Sequence, residues 1–274
     1  MQFILSSIDS WGQRLLFFIK YILETILLGY LAVRATFSDK TQGFRTIYSV
    51  VSSQVYFTGW QALPIVSVLA VASGAAIILQ STSQMNVLGG VEYIGEMMMI
   101  AVVRELSPLL TALIVIARSG TAVASEIGSM KVQKEVQALE TMGIDPLSYI
   151  VFPRLAGGVI SVVCLAFYYN LIAVVGGYLA TIFFHQIDFY YYLNLILEAV
   201  SPEDIFLFLV KNIFSGAMIF IICCRQGLSL KVSSFEVPIV TTKAVMLSTQ
   251  YIVLFHILVT GLFYLHRLNG LGVL

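Results

Sequence analysis

Charge is what this sequence holds least of. Lys, Arg, Asp and Glu together make up 11% of its 274 residues, and the fifteen basic residues balance the fifteen acidic ones. Soluble domains carry about 25% charged residues, so this chain cannot cover itself with a hydrated surface. Zero net charge also excludes nucleic acid as a partner, because such binding needs a basic surface that displaces counterions. Cysteine and histidine are scarce as well. Cys164, Cys223, Cys224, His185, His256 and His266 stand apart from any metal-ligand spacing, so no metal site is expected, and the cysteines read as small packing residues. No glycine is followed by lysine, which rules out the G-x-x-x-x-G-K-[ST] loop that cradles phosphates. No nucleophile is paired with a base, so no catalytic residue, enzyme activity or cofactor is assigned to this chain. The start, Met1 to Gly12, contains Asp9 and has no basic stretch leading into an apolar one, so no secretory signal is read there and the N-terminus is expected to be retained.

What the chain does have is apolar length: 59% of it is hydrophobic and its mean hydropathy is +0.93. A membrane-crossing helix needs about 20 apolar residues. Five stretches qualify, at about Leu63 to Leu79, Gly95 to Ala117, Leu155 to Phe184, Ile205 to Cys224 and Ala244 to Leu265. The fold class is therefore an all-α integral membrane protein. Trp11 to Phe37 is also apolar, but Arg14, Lys20, Glu24 and Arg34 recur through it, as in a helix lying among lipid headgroups; a sixth span is the alternative. The chain thus divides into an N-terminal interfacial or elbow segment, 1–46, and a transmembrane domain, 47–274. Basic residues favour the cytoplasmic side, and twelve of the fifteen gather there or in the elbow when the N-terminus is cytoplasmic. His185 to Asp204 has no Lys or Arg and carries Asp188, Glu198, Glu203 and Asp204, which places it outside together with the C-terminus. Ser201-Pro202-Glu203-Asp204 and Asp145-Pro146 read as helix starts. Tyr190, Tyr191 and Tyr192 fit an outer aromatic belt, and the pairs Ala70/Gly74 and Gly157/Ser161 allow close helix packing.

Val103 to Pro146 departs from this pattern. Arg104 and Glu105 fall about halfway through the second span, where each charge costs roughly 2.5–3.5 kcal/mol on insertion scales unless it faces protein or a polar cavity. Pro108 has no N–H to bond the carbonyl of Arg104, which loosens the helix at the same place. Two readings follow, a buried ion pair to another helix or the polar floor of a substrate cavity, and the second is preferred. Thr121 to Met142 cannot span, because Glu126, Lys131, Lys134, Glu135 and Glu140 interrupt it. Ile127, Met130, Val136, Leu139 and Met142 recur at helical spacing and give one apolar stripe. Such a helix docks another protein or lies on the membrane surface; Gly120, Gly128 and Gly143 favour docking.

At these residues the sequence resembles the MlaE-type permeases of ABC transporters that work with MCE proteins. The likeness rests on Arg104-Glu105-Leu106 with Pro108, Ala117-Arg118-Ser119-Gly120, Glu126-Ile127-Gly128 with Met130, Ala138-Leu139, Met142-Gly143-Ile144-Asp145-Pro146 and Pro153-Arg154. A second patch, Thr241 to Val245 with Ser248, looks like the family's last cytoplasmic loop. The resemblance implies a homodimer of five-span subunits in the bacterial inner membrane, each with an N-terminal elbow helix. It implies a coupling helix at about 122–142 that sits in a groove of a cytoplasmic ABC ATPase dimer, which holds ATP and Mg. Glu126, Gly128, Met130, Lys131, Lys134, Glu135, Leu139 and Met142 would form that contact. Lys134 stands where the family usually has Glu, which implies a compensating change in the ATPase. A lipid pocket would open beneath a periplasmic MCE-domain hexamer, lined by Ile77, Gln84, Met85 and Leu88 with Arg104 and Glu105 as its polar residues. A small STAS-domain protein is an optional further partner. The activity implied is movement of phospholipid or a related lipid between the inner membrane and the MCE protein. A secondary transporter or channel with Arg104 and Glu105 as an ion relay is the alternative, against which stand five spans without a visible inverted repeat.

Overall fold

The computed structural model describes residues 19–36, 44–88, 93–185, 188–230 and 233–270, and at 44–46, 82–88, 93, 184–185 and 270 the backbone alone. Among the described residues there are helices and no strands. In chain order they are α1 (19–36), α2 (Phe44–Thr58), α3 (Leu63–Leu88), α4 (Tyr93–Met97), α5 (Ser107–Val115), α6 (Thr121–Val132) and α7 (Glu135–Thr141). After these come α8 (Phe152–His185), α9 (Phe189–Ala199), α10 (Pro202–Leu228) and α11 (Val237–Gly270). Wider π-helical turns precede α5 at Met98–Leu106, follow it at Ile116–Gly120, and precede α8 at Leu147–Val151.

These elements join into five candidate spans: Ile47–Ser81, Ile94–Val132, Leu147–Phe183, Pro202–Leu228 and Ser234–Asn269. All five overlap the expected stretches and are longer, the first two most instructively. The first begins at Ile47, not Leu63, because α2 runs almost continuously into α3 through a short 3₁₀ turn at Trp60–Ala62. The second continues past Ala117 to Val132, because the turns at Ile116–Gly120 carry the helix on into α6 without a loop.

The expected single helix over 122–142 is therefore two pieces. It breaks at Gln133–Lys134, where Lys134 has a left-handed backbone with φ 61°. Sequence periodicity cannot reveal this break, because a non-glycine residue with positive φ leaves the apolar spacing almost unchanged. α7 ends on Gly143 at φ 76°, with Gly143 N–H donating to the Glu140 carbonyl and Ile144 N–H to the Leu139 carbonyl. That pair of bonds is the Schellman closure, which only glycine enters without strain.

The helix starts read from sequence are present. Ser201 and Asp204 cap each other reciprocally at the start of α10, and the Asp145 carboxylate accepts from Leu147 N–H before the third span. The small residues work as packing contacts. A Cβ on Gly74 would lie 2.0 Å from the Ala173 carbonyl oxygen of α8, and one on Gly157 would meet Gln54 of α2 at 2.9 Å. Close approach is why α3 and α8 form the most extensive helix pair, reinforced where the hydroxyls of Ser67 and Tyr168, and of Ser73 and Tyr169, meet at 2.8 and 2.7 Å. α10 packs on α8 and α6 as well as α11 and is the inner post of the bundle. Tyr192 leaves the expected aromatic belt: it is buried and donates to the Val174 carbonyl, while Tyr190 and Tyr191 are exposed.

Gly74→Leu is expected to force α3 from a backbone that cannot yield, and overpacking of this kind costs about 1–3 kcal/mol. Melting of the detergent-purified protein, followed by size-exclusion, should fall for Gly74→Leu and hold for Ala72→Leu on the exposed face of α3.

Candidate functional site

Pro108 sits on the first turn of α5 and has no N–H, so the Arg104 carbonyl lacks its helical donor. The gap is filled from another helix: Lys211 of α10 donates to the Arg104 carbonyl at 2.8 Å. The same ammonium reaches the two Glu105 carboxylate oxygens at 3.0 and 3.1 Å and the Thr260 hydroxyl of α11 at 2.8 Å. Thr260 in turn donates to the Glu105 carboxylate at 3.0 Å. Lys211 has 0% side-chain exposure, whereas Glu105 keeps 36%. One buried ammonium thus holds three helices together.

Arg104 turns the other way. A helical side chain points back toward its own N-terminus, and Arg104 Nε meets Asp204 Oδ1 at 2.7 Å, with both side chains nearly buried and Phe263 facing the guanidinium at 5.5 Å. Asp204 and Lys211 are seven residues apart, two turns of one face of α10, so they receive the adjacent Arg104 and Glu105 one above the other. Counted at 1.5 Å per residue from the nearer span end, Arg104, Lys211 and Thr260 lie roughly 14–15 Å in, whereas Asp204 sits on the first turn of α10, about 3 Å from its start. Both charges are therefore paired to another helix, the reading placed second from sequence. Neither ion is left free as a relay.

The polar contacts continue along the α10/α11 seam. Ser215 and His256 meet at 3.0 Å, and Cys223 lies 3.8 Å from Ser248. Lys211/Thr260, Ser215/His256 and Cys223/Ser248 form rungs of an antiparallel ladder that steps by multiples of four on each helix. His256 belongs to this buried seam and not to a helix end. Sequence reasoning missed Lys211, Thr260, Ser215 and His256. Their available signal was the Asp204/Lys211 spacing, which matches the adjacent Arg104/Glu105 pair in charge.

At the opposite end of the bundle, three arginines brace the helix ends. Arg118 donates to the Phe57 carbonyl at 2.8 Å and to Gln61. Arg154 pairs with Glu126 at 2.7 Å. Arg225 donates to the Tyr21 carbonyl at 2.7 Å and to Thr25 at 2.6 Å, pairs with Glu24, and lies 3.9 Å over the Tyr21 ring. Tyr21 also stacks on Tyr251, and its hydroxyl accepts from Gln226 at 2.7 Å. Burial raises that hydroxyl above its ordinary range against the opposing hydrogen bond from Gln226 and charge of Arg225, so it stays a neutral acceptor. α1 is thereby fixed to the end of α10 and to the middle of α11.

The expected docking residues divide between this chain's own core and its surface. Ile127 and Val136 are buried, Glu126 is held by Arg154, and a Cβ on Gly128 would meet Leu230 at 2.6 Å. Gly128 thus packs closely against this chain's own Leu230. Met130, Lys131 and Leu139 are half-buried, and Glu126, Lys134, Glu135 and Met142 are exposed. Of the expected lipid-pocket residues, Ile77 is half-buried on α3, and the side chains of Gln84, Met85 and Leu88 fall outside the described residues.

Five apolar spans joined by a buried charged seam define a multi-pass membrane protein built around α10. The family described as Permease MlaE matches residues 51–262. A probable ABC transporter permease protein of Rickettsia felis is 31% identical over 261 residues, covering 95% of this chain and 99% of that one. The intermembrane phospholipid transport system permease protein MlaE of Haemophilus influenzae is 27% identical over 202 residues, 73% of this chain and 77% of its own. The chloroplastic protein TRIGALACTOSYLDIACYLGLYCEROL 1 of Arabidopsis thaliana is 29% identical over 200 residues, 71% of this chain and 56% of its own. The chain belongs to the MlaE family of ABC transporter permeases.

Removing one member of a buried ion pair costs about 3–5 kcal/mol, whereas removing both charges together is far milder. Lys211→Met should therefore sharply lower thermal stability in detergent, and adding Glu105→Gln should recover a substantial part of the loss. An additive double variant would show that the two charges are independent.

Proposed function

We propose that this permease moves phospholipid or a related lipid between the bacterial inner membrane and a periplasmic MCE-domain protein, powered by a separate ATPase. The observation that carries the reading is the family membership, together with a relative whose name specifies intermembrane phospholipid transport. Two copies of the chain would pair with a cytoplasmic dimer of ABC ATPases, which would hold ATP and Mg, beneath a hexamer of the MCE protein; a STAS-domain protein is an optional addition. The N-terminus would be cytoplasmic with α1 as the elbow helix, and the C-terminus periplasmic. A charge-free aliphatic wall suits acyl chains, and Ile77, Gln84, Met85 and Leu88, together with the half-exposed Glu105, would line the lipid pocket as the family resemblance implies. Arg104, ion-paired to Asp204, would hold that wall in place.

Coupling would run through the end of α6 and through α7. Glu126, Lys134, Glu135 and Met142 are the exposed members of the expected contact and would meet the ATPase directly, while Gly128, Met130, Lys131 and Leu139 would support them. Nucleotide can reposition a permease only by favouring one of its conformations through that contact.

The decisive experiment is reconstitution of the chain with its ATPase and MCE protein in liposomes, followed by transfer of a labelled phospholipid. ATP-dependent transfer with phospholipid bound to the purified complex is expected; a stable complex without an ATPase, or no bound lipid, would overturn the reading. Met142→Asp should lower ATPase recovery in a pull-down by about tenfold, the loss of one well-packed apolar anchor, and should leave the permease's melting temperature unchanged because that side chain is 65% exposed.

A further inference from the structure

α2 and α3 meet at the 3₁₀ turn Trp60–Ala62, and beside that turn an open-sided groove of ≈ 390 Å³ separates them from α8. Its floor is apolar: Leu63 and Leu165 line it, and the hydroxyl of Ser161 is turned to the Gly157 carbonyl of its own helix. The spans give its depth. The middle of Ile47–Ser81 is residue 64 and that of Leu147–Phe183 is residue 165. The Ser67/Tyr168 hydrogen bond joins residues with the same offset, so these midpoints are level. Leu63 and Leu165 thus stand at mid-depth. Ser52, at the other end of the groove, lies about 18 Å from residue 64, just past the roughly 15 Å half-thickness of a hydrocarbon core. The groove runs through one leaflet, from headgroup level to the midplane.

A second observation is chemical. Ser52, Tyr56 and Trp60 follow one another at four-residue steps along the rim, with Tyr56 59% and Trp60 65% exposed. Their hydroxyls and indole N–H have no partner among the described residues. An indole N–H only donates, so oxygens must come from outside the chain. A neighbouring membrane helix does not supply them, because its backbone groups are satisfied internally; the esters and phosphate of a glycerophospholipid do. Size agrees. An apolar cavity of about 150 Å³ holds the six carbons of benzene, and on that scale the groove takes about sixteen, one acyl chain.

We infer that this groove binds one glycerophospholipid of the adjoining leaflet, with an acyl chain laid between α2–α3 and α8 and its ester and phosphate oxygens on Ser52, Tyr56 and Trp60. With the N-terminus cytoplasmic, as proposed, that leaflet is the cytoplasmic one. None of the lining residues is charged, so the site recognises the oxygens that glycerophospholipids share and not the charge of one headgroup. It is separate from the proposed transport pocket, because Ile77 lies about 25 Å further along the helix than Trp60.

Trp11 and Trp60 are the two tryptophans of the chain, so Trp11→Phe leaves Trp60 as a local probe of the groove. Titrating the purified full chain in detergent with a phosphatidylglycerol brominated midway along its acyl chains should quench Trp60 saturably. Cys164→Phe, which fills the groove from an exposed position, should abolish the saturable part and leave the melting temperature unchanged. Tyr56→Phe should raise the half-saturating mole fraction about twofold to tenfold, the loss of one hydrogen bond. Quenching that rises in proportion to lipid and ignores Cys164→Phe would mean ordinary solvation by the bilayer and would overturn the inference. Loss of quenching on binding the MCE partner, with crosslinks from Cys164 to that partner, would give the groove to a protein helix and overturn it too. Contact quenching does not reach Ile77, so either failure leaves the transport reading standing.

Discussion

The Lys211 ammonium is the group on which the arrangement of spans depends. Taken out of water, it must recover its lost hydration from fixed oxygens, and it does so from the Arg104 carbonyl, the Glu105 carboxylate and the Thr260 hydroxyl. These acceptors come from the second and fifth spans, while Lys211 belongs to the fourth. A buried ion pair is weak evidence of net stability, since desolvation offsets much of the attraction. Its strength is in excluding alternatives: a register slip of either neighbouring helix would strand a charge in hydrocarbon. Helix packing in lipid has little hydrophobic force behind it, so directional contacts of this kind decide which helices are neighbours.

Pro108 makes this contact possible and necessary at once. The proline removes the donor that would have satisfied the Arg104 carbonyl, and the wide turns over Met98–Leu106 set Arg104 and Glu105 where two turns of α10 can receive them. The bundle uses lysine and arginine in different ways. In the interior a lysine serves as a compact charge among converging oxygens, whereas at the opposite end Arg118, Arg154 and Arg225 use their planar forks to join helix ends. Each of these arginines reaches a carbonyl, amide or carboxylate on another element, fastening α2, α6 and α1 in turn.

Much of this was legible in the sequence, for physical reasons that can be named. Spans are visible because twenty apolar residues have no other use in a dilute-charge chain, and caps because Ser, Asp and Pro at the start of α10 satisfy groups that every helix start leaves open. Arg104 and Glu105 stood out because they are adjacent and charged, but their partners did not. Lys211 reads as one lysine in an apolar run, and nothing along the chain says that it faces residue 105 across 106 positions. Family resemblance supplied a role for Arg104 in a cavity, and the geometry adds Asp204 as its partner. The break at Lys134 was hidden for a different reason, since hydrophobic spacing records which side chains share a face and not the backbone angle between them.

The continuity of α6 with the second span gives those corrections a mechanical meaning. A separate amphipathic helix would transmit force through a loop, but here one helical rod runs from Ile94 to Val132, with the charged cluster about a quarter of the way along it and the left-handed break just beyond its end. If α7 is displaced by an ATPase, as proposed, Lys134 is the joint and the rod carries the movement to Arg104 and Glu105. The rod is not uniform, because the wide turns on either side of α5 are places where helical hydrogen bonds can change partner at small cost. Glu105 is the member of the cluster with solvent-sized access and Lys211 the one without. A shift of the rod would therefore be felt first as a change in how far Glu105 stands from an ammonium that cannot follow it.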